Sequence, residues 1–267
     1  MGNYIQKFTG FLAFLLVLSV NSGNAQTNVS GVISTNTNWT KAGSPYIITN
    51  NLLVNSGITL TSDAGVTVKF NPTFYLKIQG QVIAIGTQAD SILFTSNNSS
   101  PNKGDWSKLW LISTTTNFNG TYNYVSGSVF KYCKISYAQE GVRVDDAQIN
   151  VSNSSFSFNT IGVSFKKINN SLFFQNNFYN NSDATNTNAG TEDNGVGSFT
   201  YVNFISNNFF DNTNNALSFG GYRNNSNNNL INGNIIKNNG GVGLNFQWGD
   251  VTTGFSNNIV ERNIVYN

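Results

Sequence analysis

The chain has 267 residues, with 14 Lys and Arg against 12 Asp and Glu, no His, and a formal net charge of +2. Charge this sparse, scattered and balanced indicates neither a nucleic-acid interface nor attraction to an anionic membrane surface. One cysteine, Cys133, cannot form an internal disulfide, so stability must come from burial and hydrogen bonding, and solubility from neutral Asn, Ser, Thr and Gly.

Residues 1–25 read as a secretory signal peptide. A polar, basic leader ends at Lys7, the apolar run FLAFLLVLSV follows from Phe11 to Val20, and Gly23 and Ala25 are the small residues that a signal peptidase reads, with cleavage after Ala25. The apolar run is about ten residues where a spanning helix needs roughly twenty, so the mature protein is expected to carry no membrane span. The expected address is secreted, periplasmic or cell surface.

Residues 26–50 are expected to form an N-terminal cap and the first strands, with Trp39 and Pro45 inside the cap. Residues 51–267 are repeats. Between Leu52 and Phe94 the apolar positions superpose after 24 residues: Leu52 on Leu76, Val54 on Ile78, Ile58 on Val82, Leu60 on Ala84, Val68 on Ile92 and Phe70 on Phe94. Inside each unit they alternate with period two, as in VTVKF and LKIQG, between Gly or Asn-Ser turns. Short alternating strands on a fixed period of about two dozen residues mark a solenoid whose unit cannot bury its apolar face alone.

The second half is looser. Anchors recur at Ile135, Phe156, Phe178, Phe209, Ile235 and Ile264, spaced by 21, 22, 31, 26 and 29 residues, with insertions in the loops. The largest insertion, Ser182 to Ser198, is nearly devoid of apolar residues and is expected to project from one corner. Asn stands before most anchors (Asn177, Asn208, Asn234, Asn263) and three residues after others (Asn159, Asn181, Asn212, Asn238). Two reasons are available: Asn tolerates the positive φ of a tight bend, and stacked Asn side chains can bond to one another at the strand spacing of about 4.8 Å. About nine coils at that rise make a rod roughly 45 Å long. The repeat is cut at Asn267 with no visible cap, so a longer gene product is expected.

The segments SGVISTNTNWTKAGSPYIITNNLLVNSGITLTSDAGVTVKF, LKIQGQVIAIGTQADSILFTSNN, KGDWSKLW and SGSVFKYCKISYA resemble secreted bacterial right-handed parallel β-helix proteins of the pectin-lyase-like superfamily. The later N-F-x-x-N units followed by G-V-x-F are similar to the carbohydrate-binding and sugar-hydrolysis repeats of NosD-type β-helices. The resemblance covers essentially the whole mature chain and implies an all-β solenoid. For activity it is unspecific, because such proteins include lyases, hydrolases and adhesins.

In that superfamily the working groups lie on the outer face of one sheet, here the one containing GVRV, GVSF, ALSF and GLNF. Alternation turns Val142, Val144, Val163, Phe165, Leu217, Phe219, Leu244 and Phe246 inward. It turns Gly141, Arg143, Asp145, Gly162, Ser164, Lys166, Ala216, Ser218, Gly220, Gly243, Asn245 and Gln247 outward. Glycoside hydrolysis normally needs two carboxylates about 5 to 9.5 Å apart, and these rungs offer Asp145 alone. Arg143, Asp145 and Lys166 are the catalytic candidates; the resemblance to a pectate-lyase site would add calcium, a cofactor expected under no other reading. Glu192 and Asp193 read as a solvated loop tip. For ligand contact the candidates are Trp248, Asn245, Gln247, Ser218 and Ser164, with Trp106 expected to be packed away.

The expected function is a secreted or surface β-helix that binds a polysaccharide or cell-surface polymer along its polar face without catalysis. The alternatives are a polysaccharide lyase or glycoside hydrolase, and a structural stalk or adhesin segment. The sequence leaves ligand and oligomeric state open.

Overall fold

In a computed structural model of the protein, residues 26–120, 122–187, 198–220, 225–247 and 255–266 are described. The signal-peptide reading, Trp248, Glu192, Asp193 and Asn267 lie outside them. The chain winds as a right-handed parallel β-helix in which each turn contributes a strand to each of three faces. One face runs through 52–54, Leu76–Ile78, Trp106–Ile112, Ala138–Ala147, 161–165 and Asp183–Thr187. Leu217–Gly220 and Leu244–Gln247, paired with each other, continue it, tied on by Thr185 N donating to Ala216 O. The second face holds Gln81–Ile85, Val129–Lys131, Asn150–Ser152, 172–174, 203–205, Leu230–Asn232 and Ile259–Glu261. The third holds Ile92–Ser96, Cys133–Ser136, Ser155–Ser157, Asn177–Tyr179, Asn208–Phe210, Ile235–Lys237 and Ile264–Tyr266. At the N-terminal end Thr27–Ile33 and Thr37–Trp39 pair in parallel with Tyr46–Val54 and Thr59–Ser62, so these residues are already solenoid strands.

The register departs from a strict 24-residue period. Leu52 does meet Leu76 and Val54 meets Ile78, but Leu60 meets Val82 and Val68 meets Phe94, offsets of 24, 22 and 26 residues on successive faces. Both deviations are even, so inward residues still stack on inward residues. The anchor series slips by one in the last coils. Phe156, Phe178 and Phe209 stack, and the next in line is Ile236, followed by Val265. Ile236 is 1 % exposed and Ile235 37 % exposed, so Ile235 and Ile264 belong to the outward row.

Burial concentrates along the axis. Phe156 and Phe178 stack at 4.8 Å, Phe178 and Phe209 at 4.8 Å, and Phe173 and Phe204 at 4.5 Å, each within 8° of parallel. That is the strand spacing, so one aromatic per coil fills its column without a void. Trp106, fully buried, lies 4.1 Å from Phe70 and donates its indole N–H to Ser136 O, as its packed-away reading expected.

Three buried columns of polar side chains mark the corners. In one, Cys133 N donates to Ser154 Oγ, Ser154 N to Asn176 Oδ1, Asn176 N to Asn207 Oδ1, Asn207 N to Asn234 Oδ1 and Asn234 N to Asn263 Oδ1. In the next, Asn159, Asn181, Asn212 and Asn239 follow the same rule. The third is shorter, with Val202 and Asn229 donating in turn to Asn229 and Asn258. Asn159, Asn181, Asn212, Asn234 and Asn263 are therefore ladder residues as expected, whereas Asn177, Asn208 and Asn238 are not. Asn177 and Asn208 pair with each other at the surface, and Asn238 lies outside beside Asp211. The true members Asn176, Asn207 and Asn239 each stand one residue away.

Positive φ is not why these positions are Asn. The left-handed residue is the one before the ladder: Gln175 (φ 54), Ser206 (φ 57), Gly233 (φ 65) and Arg262 (φ 56) in one column, Phe158 (φ 56), Asn180 (φ 56), Asp211 (φ 56) and Asn238 (φ 52) in another. Its identity varies because the bonds of the following Asn hold the bend whatever the side chain.

Candidate functional site

The face carrying GVRV has outward rows set by the parallel register. Lys77, Trp110, Arg143, Ser164 and Asn186 stand level, one per coil. Lys108 stands level with Glu140, and Ile112 and Lys167 flank Asp145. Asn186 belongs to a rung inside the segment expected to loop out from Ser182; Asp183–Thr187 is a strand, and residues 188–197 lie outside the described chain.

Trp110 is the centre of the arrangement. Its ring is half-buried, with Lys77 Nζ 4.7 Å, Lys108 Nζ 5.7 Å and the Arg143 guanidinium 5.9 Å from its centroid, and Tyr75 meets it edge-on at 5.9 Å. A ring facing three cations gathers them by its negative π-face. Its indole N–H donates to Asp145 Oδ2 at 2.7 Å, while Arg143 Nε lies 3.0 Å from both Asp145 oxygens. Arg143 Nη1 also reaches Glu140 Oε1 at 3.6 Å, and Lys108 Nζ lies 2.6 Å from Glu140 Oε2.

Glu140 is on this face because alternation fails beside it. Ala138 pairs with Trp106 and Val142 with Leu109, four residues against three, so the strand carries an extra residue at Gly141. Glycine fits there: a Cβ on Gly141 would lie 2.5 Å from Gly162 O, 3.1 Å from Ile135 Cγ2 and 3.3 Å from Phe156 Cδ1. Gly141 is thus not the outward residue that simple alternation makes it, and Glu140 and Arg143, three apart, share one side.

Of the expected catalytic group, Arg143 and Asp145 come together and Lys166 does not join them in register. A shift in pairing sets Lys167 opposite Asp145, and Lys167 Nζ pairs with Asp146 at 2.8 Å. A second carboxylate, Glu140, is present after all, but both carboxylates are held by cations and Arg143 binds the two of them at once. Among the described residues no group of three His, Cys, Asp or Glu is placed to hold a metal ion.

The expected ligand-contact residues fare differently. Ser164 is fully buried between its longer register partners Arg143 and Asn186, and Ser218 is 7 % exposed with its N–H on Thr185 Oγ1, so neither hydroxyl lies open to a polymer. Asn245 is half-buried and level with Ser218; the side chain of Gln247, like Trp248, lies outside the described ones. Sequence reasoning missed Lys77, Lys108 and Glu140, while Trp110 was open to it as one of the tryptophans, with Trp106 and Trp248, whose flat faces can stack on sugar rings. The available signal was KGDWSKLW itself, in which the alternation that buries Leu109 and Leu111 turns Lys108 and Trp110 outward together.

Residues 31–129 match a family model described as a pectate-lyase like beta helix domain. No curated protein matches the chain, and no solved structure does. The matched stretch includes Lys77, Lys108 and Trp110 and stops before Glu140, Arg143 and Asp145.

Proposed function

We propose that this pectin-lyase-like β-helix is an extracellular binding protein that holds a glycan or another surface polymer on the Trp110 face without turning it over. The carrying observation is the half-buried Trp110 ring surrounded by Lys77, Lys108 and Arg143. A flat aromatic surface suits the apolar side of a sugar ring, and three cations against the two carboxylates of Glu140 and Asp145 leave the patch positive. Both features favour a polymer bearing carboxylate or sulfate groups. The non-catalytic reading rests on the ion pairing of Glu140 and Asp145, which leaves this face without an unengaged carboxylate pair for hydrolysis among the described residues.

The test is retention of the purified protein on immobilised polygalacturonate, alginate and chondroitin sulfate, with and without calcium, while unsaturated products and reducing ends are followed. Retention without turnover is expected, weakening with salt because exposed charges are screened, and falling about tenfold or more in Trp110→Ala. Turnover abolished by Arg143→Ala would make the protein a lyase or hydrolase. Retention by none of the polymers would leave a structural stalk.

A further inference from the structure

Among the described residues one strand pair is antiparallel: Thr116–Asn119 with Asn123–Gly127, a hairpin inserted between the strands Trp106–Ile112 and Val129–Lys131. Its base is built in. Thr116 Oγ1 donates to Ser128 O at 3.0 Å, Thr116 N to Gln148 Oε1 at 3.0 Å, and Asn170 Nδ2 to Thr116 O at 3.2 Å. Gly127 has φ +101, and a Cβ there would stand 2.1 Å from Thr115 O, so the hairpin leaves the coil through a position that only glycine fits. The hairpin's exposed strand positions are Asn117, Asn119, Asn123, Val125 and Ser126, so it contributes little to the core.

It does make a wall. Between the hairpin and the coils beneath it is a cleft of about 240 Å³, lined by Phe118 and Tyr122 on one side and by Tyr201, Asn170, Asn203 and Asn228 on the other. Tyr122 OH reaches Asn203 Oδ1 at 3.5 Å across 81 residues of sequence. Among the described residues no charged side chain lines the cleft. Tyr201 departs from its own column: the left-handed corner is Asn170, Asn228 and Asn257 in other coils, and Tyr201 holds the same conformation (φ 56) while 59 % exposed. The bend does not select its side chain, so position 201 is free to carry a ring that lines the cleft.

We infer that this cleft binds one residue of a neutral sugar chain, with the rings of Tyr201, Tyr122 and Phe118 against its C–H surface and the amides of Asn170, Asn203 and Asn228 on its hydroxyls. Aromatic rings with a few polar groups that can both donate and accept, and without charge, match a ligand that is itself uncharged, half apolar by face and rich in hydroxyls. The site stands apart from the Trp110 face in residues and ligand charge and does not depend on that reading.

The experiment is affinity electrophoresis of the full protein in gels cast with hydroxyethylcellulose, arabinoxylan or galactomannan, at low and high salt, comparing wild type with Tyr201→Asn, Tyr201→Phe and Trp110→Ala. Tyr201→Asn restores the residue the corner carries elsewhere, so it is expected to fold at least as stably as wild type. Retardation by at least one of the three polymers is expected, insensitive to salt, weakened about tenfold by Tyr201→Asn and kept by Tyr201→Phe and Trp110→Ala. Retardation by none of them overturns the assignment, as does retardation that Tyr201→Asn leaves unchanged or that Trp110→Ala abolishes. Failure of the acidic polymers to bind leaves it standing.

Discussion

Asn181 and Asn212 are joined twice through one oxygen: the backbone N and the side-chain Nδ2 of Asn181 both donate to Asn212 Oδ1 at 3.0 Å. The same Nδ2 donates in the other direction to Phe156 O at 2.9 Å. One carboxamide therefore ties three coils, and Asn207 repeats the pattern with Asn234 Oδ1 and Phe173 O.

Asn181→Ala removes the acceptor of Asn159 N and Nδ2 and the donor to Phe156 O, all buried. Several groups left unpaired cost about 3 kcal/mol or more. Asn208→Ala, which loses only a side-chain bond to Asn177 outside the ladder, is expected to cost about 1 kcal/mol or less. Urea unfolding of the two variants gives the comparison, and equal midpoints would show that the ladder is not stabilising.

The register of the last coils is open to the same approach. Ile236→Ala empties a core position and is expected to cost about 2–5 kcal/mol, whereas Ile235→Ala, on the outward row, should cost about 0.5 kcal/mol or less. A reversed order would return Ile235 to the core row and remove the one-residue slip.

Lys108→Met leaves Glu140, whose side chain is 6 % exposed, without its shortest ion-pair contact. Removing one partner of so buried an ion pair leaves charge uncompensated, so the melting temperature should fall, while Lys77→Met, whose cation faces only the Trp110 ring among the contacts described, should leave it nearly unchanged.

Cys133 is fully buried, and burial pushes its thiol well above the ordinary value of 9.0. Below that value the thiol is neutral whether the chain is folded or not, so it has no influence on stability. Above it the unfolded chain releases a proton that the folded one keeps, and stability falls as pH rises. Native protein at pH 8 should resist a disulfide reagent, and reaction in urea should follow unfolding; prompt reaction of the native thiol would contradict its burial.

Fold class was legible because period-two alternation survives insertions of any length, provided that register shifts are even. Residue-level register was not, because a column of Phe156, Phe178 and Phe209 continuing into the adjacent pair Ile235 and Ile236 offers two equally apolar choices. Taking the wrong one moved Asn239 out of the ladder and Asn238 into it. With Ile236 in place the rule is uniform: ladder Asn two residues before each core residue (Asn176, Asn207, Asn234) and three after it (Asn181, Asn212, Asn239). The site was half legible. Arg143 and Asp145 obey alternation and were visible; Glu140 sits behind the extra residue Gly141, and no local pattern announces a bulge.

The ladder makes a single coil the heritable unit of this protein. Successive Asn residues of a column are 22, 31 or 27 positions apart, yet each finds the same oxygen on its neighbour. An in-frame duplication or deletion of one whole unit therefore leaves every remaining carboxamide saturated, whatever loop it carries. Rods of different length, bearing different insertions at their corners, are one recombination event apart.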